Sequence, residues 1–213
     1  MKLRALAQEM IRAVRLVGRP KQRILVASVP RCGSTLLLRA VGLYRKGASS
    51  AKHSPDFQFV RDLEPLPSKP YLKTHSPAPS SLPEDVRAVF LFGDPIASVV
   101  STFKNRFERN HFANCGYVKR EPPKIYERDD LRYEHIFDTW MAPNPYPVLA
   151  MRYEKMFDNK HWLDDYLGFA VALEPFRQRS TQVDGELREQ LESVYGSLVA
   201  KVSAAPDVAI IGE

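Results

Sequence analysis

Three runs of consecutive apolar residues stand out along the chain and predict buried β-strands. They are Arg23–Val29, Ala88–Phe92 and Pro147–Tyr153. Strands of a parallel sheet are buried on both faces, so they appear as continuous apolar runs rather than as alternating patterns. A fourth, shorter strand is predicted at Tyr71–His75, inside a stretch that is otherwise rich in proline.

Segments with apolar residues at three- and four-residue spacing lie between these runs and predict helices. The helices are expected directly after Thr35, from Pro95 to about Phe107, and over residues 129–141, 155–167 and 184–201. On the apolar side of the helix at 129–141 we expect Leu131, His135, Ile136, Phe137 and Trp140. Strands that alternate with helices predict an α/β fold with a mainly parallel sheet, whose ligands bind at the carboxyl ends of the strands.

The first 22 residues predict a basic amphipathic helix, from Met1 to Gly18, separate from a single domain over residues 23–213. We expect this helix to pack on its own domain, with contact to a membrane surface as the alternative. It lacks the uninterrupted apolar core of a secretory signal, so a cytoplasmic location is expected. The oligomeric state is not predicted by any pattern.

Composition excludes several classes of protein. The 213 residues are 44% hydrophobic, which excludes a disordered chain, and two cysteines exclude a disulfide scaffold. No apolar run is long enough to predict a membrane span. With 31 lysines and arginines against 25 acidic residues the net charge is +6, which favours an anionic partner. Nucleic acid is not expected, because the basic residues are scattered and no recognised nucleic-acid motif is present.

The loop after the first strand is the most informative segment. Residues 30–35, Pro-Arg-Cys-Gly-Ser-Thr, connect a strand to a helix, so their backbone N–H groups and the helix dipole can hold an anion. Hydroxyls of Ser34 and Thr35 and the guanidinium of Arg31 add donors. The segment is not a Walker A loop, which would need glycine at Ser28 and lysine at Ser34.

Three further segments, together with this loop, give the chain its resemblance to a known family. They are Tyr71–His75, Ala88–Ser101 and Pro147–Glu154. The four segments resemble, in order and spacing, the motifs of sulfotransferases that use 3′-phosphoadenosine 5′-phosphosulfate (PAPS). The Lys-Thr-His sequence at 73–75 is similar to that of the cytosolic-type members, and the short chain resembles a bacterial-like member.

The resemblance implies a P-loop-NTPase-like three-layer α/β fold and the transfer of a sulfonate from PAPS to a hydroxyl or amine, leaving the product PAP. It implies His75 as the catalytic base, with Lys73 and Arg31 near the sulfonate. It implies that the nucleotide is bound by residues of the loop and of the third and fourth motifs. These are Arg31, Cys32, Gly33, Ser34, Thr35, Ser101 and Tyr153. It implies that no metal is required, and we expect the acceptor to be a small molecule or a glycan.

Two departures from the family pattern concern the 3′-phosphate. The family places an arginine eight residues before the serine of its third motif, where this chain has Gly93. Lys104, Arg106 and Arg87 are candidates to replace that charge. The C-terminal Arg-Lys-Gly segment of the cytosolic members has no counterpart after residue 160.

The chemistry of the residues is consistent with this function. A neutral imidazole can take a proton from an acceptor hydroxyl, and in an extended segment Lys73 and His75 project to the same face. Two alternatives remain open. One is a nucleotide-dependent phosphotransferase, and the other is a non-catalytic nucleotide-binding scaffold derived from a sulfotransferase.

Overall fold

A computed structural model describes residues 22–46, 57–104, 112–174 and 183–212. The predicted helix within residues 1–22, and the last residues of the helix expected to reach Phe107, lie outside these ranges. The separation of residues 1–22 from a domain over 23–213 therefore stays a prediction.

The described ranges contain six strands and five α-helices. The strands are β1 (Arg23–Ser28), β2 (Phe57–Phe59), β3 (Tyr71–Thr74), β4 (Val86–Phe92), β5 (Val148–Arg152) and β6 (Val208–Ile211). The helices are α1 (Ser34–Lys46), α2 (Pro95–Lys104), α3 (Tyr133–Met141), α4 (Lys160–Leu167) and α5 (Gly185–Ala204), with a 3₁₀ turn at Tyr153–Lys155.

The strands form one sheet in the order β2-β3-β1-β4-β5-β6, in which only β6 is antiparallel to its neighbour. From β1 the chain moves to β2 through α1, and from β4 it moves in the opposite direction to β5 through α2 and α3. Because such crossovers are right-handed, α1 covers one face of the sheet and α2 and α3 cover the other. The predicted α/β fold with three layers and a mainly parallel central sheet is confirmed.

The central strands carry the core. In β1, Ile24, Leu25, Val26 and Ala27 are all buried, as are the residues of β4 from Ala88 to Phe92. Burial on both faces is the reason that these strands appear as unbroken apolar runs in the sequence.

Two short edge strands, β2 and β6, were not predicted. Each has at most four residues, and their side chains are only partly buried or exposed. The end of β5 is tied to the turn before β6, because Arg152 donates to the Asp207 carboxylate at 2.7 Å and to the carbonyls of Val202 and Ala205.

Two helices begin later than predicted, and one side chain lies on the other face. The helix expected over 129–141 begins at Tyr133, and the one expected from 155 begins at Lys160. His135, expected on the apolar side of α3, is exposed. The buried positions of α3 follow the 3.6-residue period through Ile136, Phe137 and Trp140, and His135 lies outside that stripe.

No helix among residues 22–46, 57–104, 112–174 and 183–212 combines the length and the apolar character needed to span a bilayer.

Candidate active site

The loop 30–35 turns sharply at the carboxyl end of β1. Arg31 and Gly33 both have positive φ, 68° and 81°. The carbonyl of Gly33 accepts the amide of Leu37 at 3.0 Å, so α1 begins immediately after the loop, with the buried Ser34 as its first residue. No acidic residue lies in the first turn of α1 to offset its dipole. The loop and helix start therefore favour an anion.

Gly33 is covered by the aromatic ring of Tyr153. A Cβ atom at position 33 would collide with the Cδ2 and Cε2 atoms of that ring. Tyr153 begins the 3₁₀ turn after β5, is only 7% exposed, and packs edge-on against Phe157. The structure thus places Tyr153, predicted to bind the nucleotide, directly against the loop, where it holds the backbone in position.

Replacing Gly33 by alanine is expected to lower stability by at least about 2 kcal/mol, because the left-handed backbone is strained and the ring of Tyr153 must move. For a chain of this size the melting temperature falls by about 4–8 °C. The matched control is Gly42→Ala in α1, where an added Cβ meets nothing within 4 Å and helix propensity rises. Equal melting temperatures for the two variants would contradict this packing of the loop.

Helix α2 holds the other side of the loop through two hydroxyls. Arg31 Nε donates to Ser101 Oγ at 3.1 Å, and Cys32 Sγ lies 3.3 Å from Ser98 Oγ. Ser98 and Ser101 are three residues apart, so they lie on one face of α2. Cys32 is buried, 1% exposed, so it fills space at this contact. The structure brings together the predicted residues Arg31, Cys32 and Ser101.

Lys73 reaches the loop from the neighbouring strand β3. Its Nζ donates to Thr35 Oγ1 at 2.7 Å and lies 6.0 Å from the centre of the Phe59 ring. Burial, and then the nearby positive charge of Arg31, lower the pKa of Lys73 from 10.5 to about 8. The structure describes no carboxylate paired with this lysine. A desolvated ammonium beside a second cation is stabilised when an anion binds between them.

His75 follows β3 and is almost fully buried, with 2% exposure. Its Nδ1 lies 2.9 Å from the carbonyl oxygen of Ser28 and 3.1 Å from Ser28 Oγ. A carbonyl only accepts, so the contact assigns the proton to Nδ1 and leaves the lone pair of the neutral ring on Nε2. The ring of Phe59 packs at 5.5 Å and fixes its orientation.

A carboxylate occupies the space beside Gly93, where the family pattern has an arginine. A Cβ atom at position 93 would lie 2.8 Å from Glu154 Oε1, and the same oxygen accepts the amide of Asp94 at 3.2 Å. Arg87 does not supply the missing charge. It lies near the amino end of β4, about 20 Å from Gly93 along the strand, where its Nε is 2.8 Å from the side-chain amide of Gln22.

The side chains of Lys104 and Arg106, the other two candidates for that charge, lie outside the described part of the chain.

Sequence reasoning missed Ser28, Ser98 and Glu154 as members of this site. Ser98 could have been found, because it lies one helical turn before Ser101. Ser28 and Glu154 have no comparable signal, because each contacts a segment at least 47 residues away in the chain.

The described residues contain no cluster of three or more histidine, cysteine or acidic side chains suited to a metal ion.

No protein-family profile and no curated protein sequence matches this chain. Among solved structures, it is similar to a mouse sulfotransferase, SULT7A1, crystallised in complex with PAP. The two share 17% sequence identity, the alignment covers 88% of this chain and 68% of the mouse chain, and the TM-score is 0.42. The function of this chain therefore has to be inferred from its own side chains.

Proposed function

We propose that this chain is a sulfotransferase that moves a sulfonate group from PAPS to a hydroxyl or amine of a small-molecule or glycan acceptor. The observation that carries the proposal is that Lys73 contacts Thr35 of the anion-binding loop, while His75 contacts Ser28 at the end of the strand that leads into the loop. Lys73, which has no described acidic partner, donates to the hydroxyl of Thr35 at 2.7 Å. His75, two residues later, has its Nδ1 proton directed to the carbonyl of Ser28.

Each side chain has a role in an in-line transfer. The acceptor oxygen forms a bond to sulfur, and the bond from sulfur to the 5′-phosphate oxygen breaks, so PAP leaves with the electron pair of that bond. The acceptor proton passes to His75 Nε2, while the Nδ1 contact with Ser28 keeps the ring oriented. Lys73, Thr35 and the loop amides stabilise the negative charge on the sulfonate and phosphate oxygens.

Titration with nucleotides tests the proposal against its two alternatives. The ligands are 3′-phosphoadenosine 5′-phosphate, ADP, and ATP with Mg²⁺. At 100 times its dissociation constant a ligand stabilises by about 2.7 kcal/mol, so we expect the 3′,5′-bisphosphate to raise the melting temperature by about 5–10 °C.

A release assay for PAP, with PAPS and a set of phenols, alcohols and amines, then measures transfer. A shift with ATP and Mg²⁺ alone would favour a phosphotransferase instead. Binding of the bisphosphate without release of PAP would favour the non-catalytic scaffold, and no shift with any of the three would overturn the proposal.

A further inference from the structure

Arg61 follows strand β2 and lies next to His75. The register of β2 and β3 pairs Phe59 with Lys73, so its continuation by two residues pairs Arg61 with His75. The two chain segments stay close beyond the paired strands, because Ser76 Oγ donates to the carbonyl of Arg61 at 2.6 Å. Every second residue of an extended segment lies on the same face, so Arg61 belongs to the face of the sheet that carries Phe59, Lys73 and His75.

The guanidinium of Arg61 is held along one edge by Asn114. Its Nε and Nη2 both donate to Asn114 Oδ1, at 3.4 and 3.3 Å. Because a guanidinium has five N–H groups, these two bonds leave the edge formed by Nη1 and Nη2 without a described hydrogen-bond partner. Two parallel N–H groups on such an edge match the two oxygens of a carboxylate.

Asn114 belongs to a turn that lies close to the candidate site. In this turn the amide of Cys115 donates to the carbonyl of Phe112 at 3.0 Å. Cys115 is buried, which raises the pKa of its thiol to about 12, and the positive charge of Lys73 opposes that rise. The turn therefore reaches from Lys73 to Arg61, and the bonds to Asn114 fix the guanidinium at the rim of the site.

Among the described residues, no carboxylate pairs with Arg61. The two acidic residues nearest in the chain are bonded elsewhere. Asp62 accepts the amide of Glu64 at 3.1 Å, and Glu64 accepts the amide and the hydroxyl of Ser80 at 2.9 and 2.7 Å. Arg61 is also exposed, so its charge is accessible to a ligand that enters from solvent.

We infer that Arg61 binds a carboxylate on the sulfonate acceptor, so that the acceptor is an acidic phenol, alcohol or sugar rather than a neutral one. This inference rests on the proposed function and deepens it by naming the acceptor class. Lys73 and the anion-binding loop are assigned to the donor, whereas Arg61 lies on the outer side of His75, next to the edge strand β2. Contacts at His75 Nε2 and at Arg61 would orient the acceptor by two points, its reacting hydroxyl and its carboxylate.

The test compares acceptors that differ only in this charge. Para-hydroxybenzoate, para-hydroxyphenylacetate and para-hydroxyphenylpropanoate place the carboxylate at three distances from the hydroxyl, methyl glucuronide presents it on a sugar, and the corresponding amides are the neutral partners. Release of PAP gives kcat/KM for each compound. In at least one pair we expect the wild-type chain to prefer the acid by about 5- to 30-fold. Arg61→Gln should remove that preference and leave kcat/KM for the amide within about twofold of wild type.

Arg39→Gln is the matched control, because it removes the same charge from an exposed position on α1 that acts on Lys73 from a distance. It should change kcat/KM for acid and amide by the same small factor. Arg61→Glu reverses the charge and should favour tyramine, a phenol that carries an amine, over the acids. Melting temperatures show whether each variant is folded, and Arg61→Lys, which keeps the charge but not the paired N–H groups, keeps the test open if Arg61→Gln is not.

Equal kcat/KM for acid and amide in every pair, or an acid preference that survives Arg61→Gln, would overturn the inference and leave the proposed function intact. If no compound is turned over, the same comparison is made with dissociation constants measured by calorimetry in the presence of PAP. Acids that bind no more tightly than their amides, or that do not bind, overturn the inference in the same way. A wild-type chain that does not bind PAP would instead count against the proposed function itself.

Discussion

Replacing His75 by alanine is expected to slow sulfonate transfer by about 10²- to 10⁴-fold, the usual contribution of a positioned general base. The affinity for 3′-phosphoadenosine 5′-phosphate should stay within about twofold of wild type, because the imidazole acts on the acceptor proton rather than on the nucleotide. Release of PAP under saturating PAPS and acceptor gives the rate, and calorimetry gives the affinity.

The reason lies in the tautomer of the ring. Since Nδ1 donates to the carbonyl of Ser28 at 2.9 Å, Nε2 is the nitrogen that can accept a proton. Alanine removes both this base and the packing against Phe59. His75→Asn separates the two effects, because its amide can still donate to Ser28 but cannot act as a base at neutral pH.

The control for this prediction is His135→Ala, the same substitution at an exposed position of α3. It should leave turnover unchanged. Addition of imidazole should restore part of the turnover of His75→Ala, which a merely structural histidine would not allow. Turnover of His75→Ala within about tenfold of wild type would rule out His75 as the base.

The part of the fold that the sequence predicts is the part that is buried on both sides. Strands β1, β4 and β5 lie inside the sheet, so almost every residue in them must be apolar, and the pattern is unmistakable. Strands β2 and β6 have only one neighbour each in the sheet. β2 has only three residues, and β6, although all four of its residues from Val208 to Ile211 are apolar, is too short to stand out in the sequence as the longer central strands do.

The candidate site also has a part that the sequence predicts and a part that it does not. Residues near the ends of adjacent parallel strands must meet, so the loop after β1 and the segment Lys73–His75 could be placed together from the sequence. The group that lies beside Gly93 could not be predicted from the sequence. It is the carboxylate of Glu154, which belongs to the segment after β5, 61 positions later in the chain. Contacts of this kind depend on tertiary packing, which spacing along a chain does not encode.

Replacing Lys73 by methionine is expected to abolish binding of 3′-phosphoadenosine 5′-phosphate at millimolar concentrations and, at the same time, to stabilise the unliganded chain. Burial and the charge of Arg31 lower the pKa of Lys73 from 10.5 to about 8. The folded, unliganded chain therefore carries the ammonium at pH 7 at a cost on the order of 3 kcal/mol, since each pKa unit corresponds to about 1.36 kcal/mol. Methionine fills the same space without that cost.

The sign of the pH dependence follows from the same pKa. Below about pH 8 the lysine is charged in both the folded and the unfolded chain, so the full penalty applies. Between about pH 8 and 10.5 the folded chain has lost the proton and the unfolded chain still holds it, so stability rises with pH in this window. We expect the free energy of unfolding of Lys73→Met minus that of wild type to be largest near pH 7 and to shrink across this window.

Affinity for the bisphosphate should change with pH in the opposite direction to stability, because a bound anion stabilises the ammonium form of Lys73. Affinity of the wild-type chain should fall as pH rises through about 8, and binding above that pH should take up a fraction of a proton, measured by calorimetry in buffers of different ionisation enthalpy. Lys69→Met, at an exposed position, is the control and should change neither property. A Lys73→Met chain that is less stable than wild type at pH 7, or that binds the bisphosphate normally, would contradict the placement of this partly buried cation at the anion site.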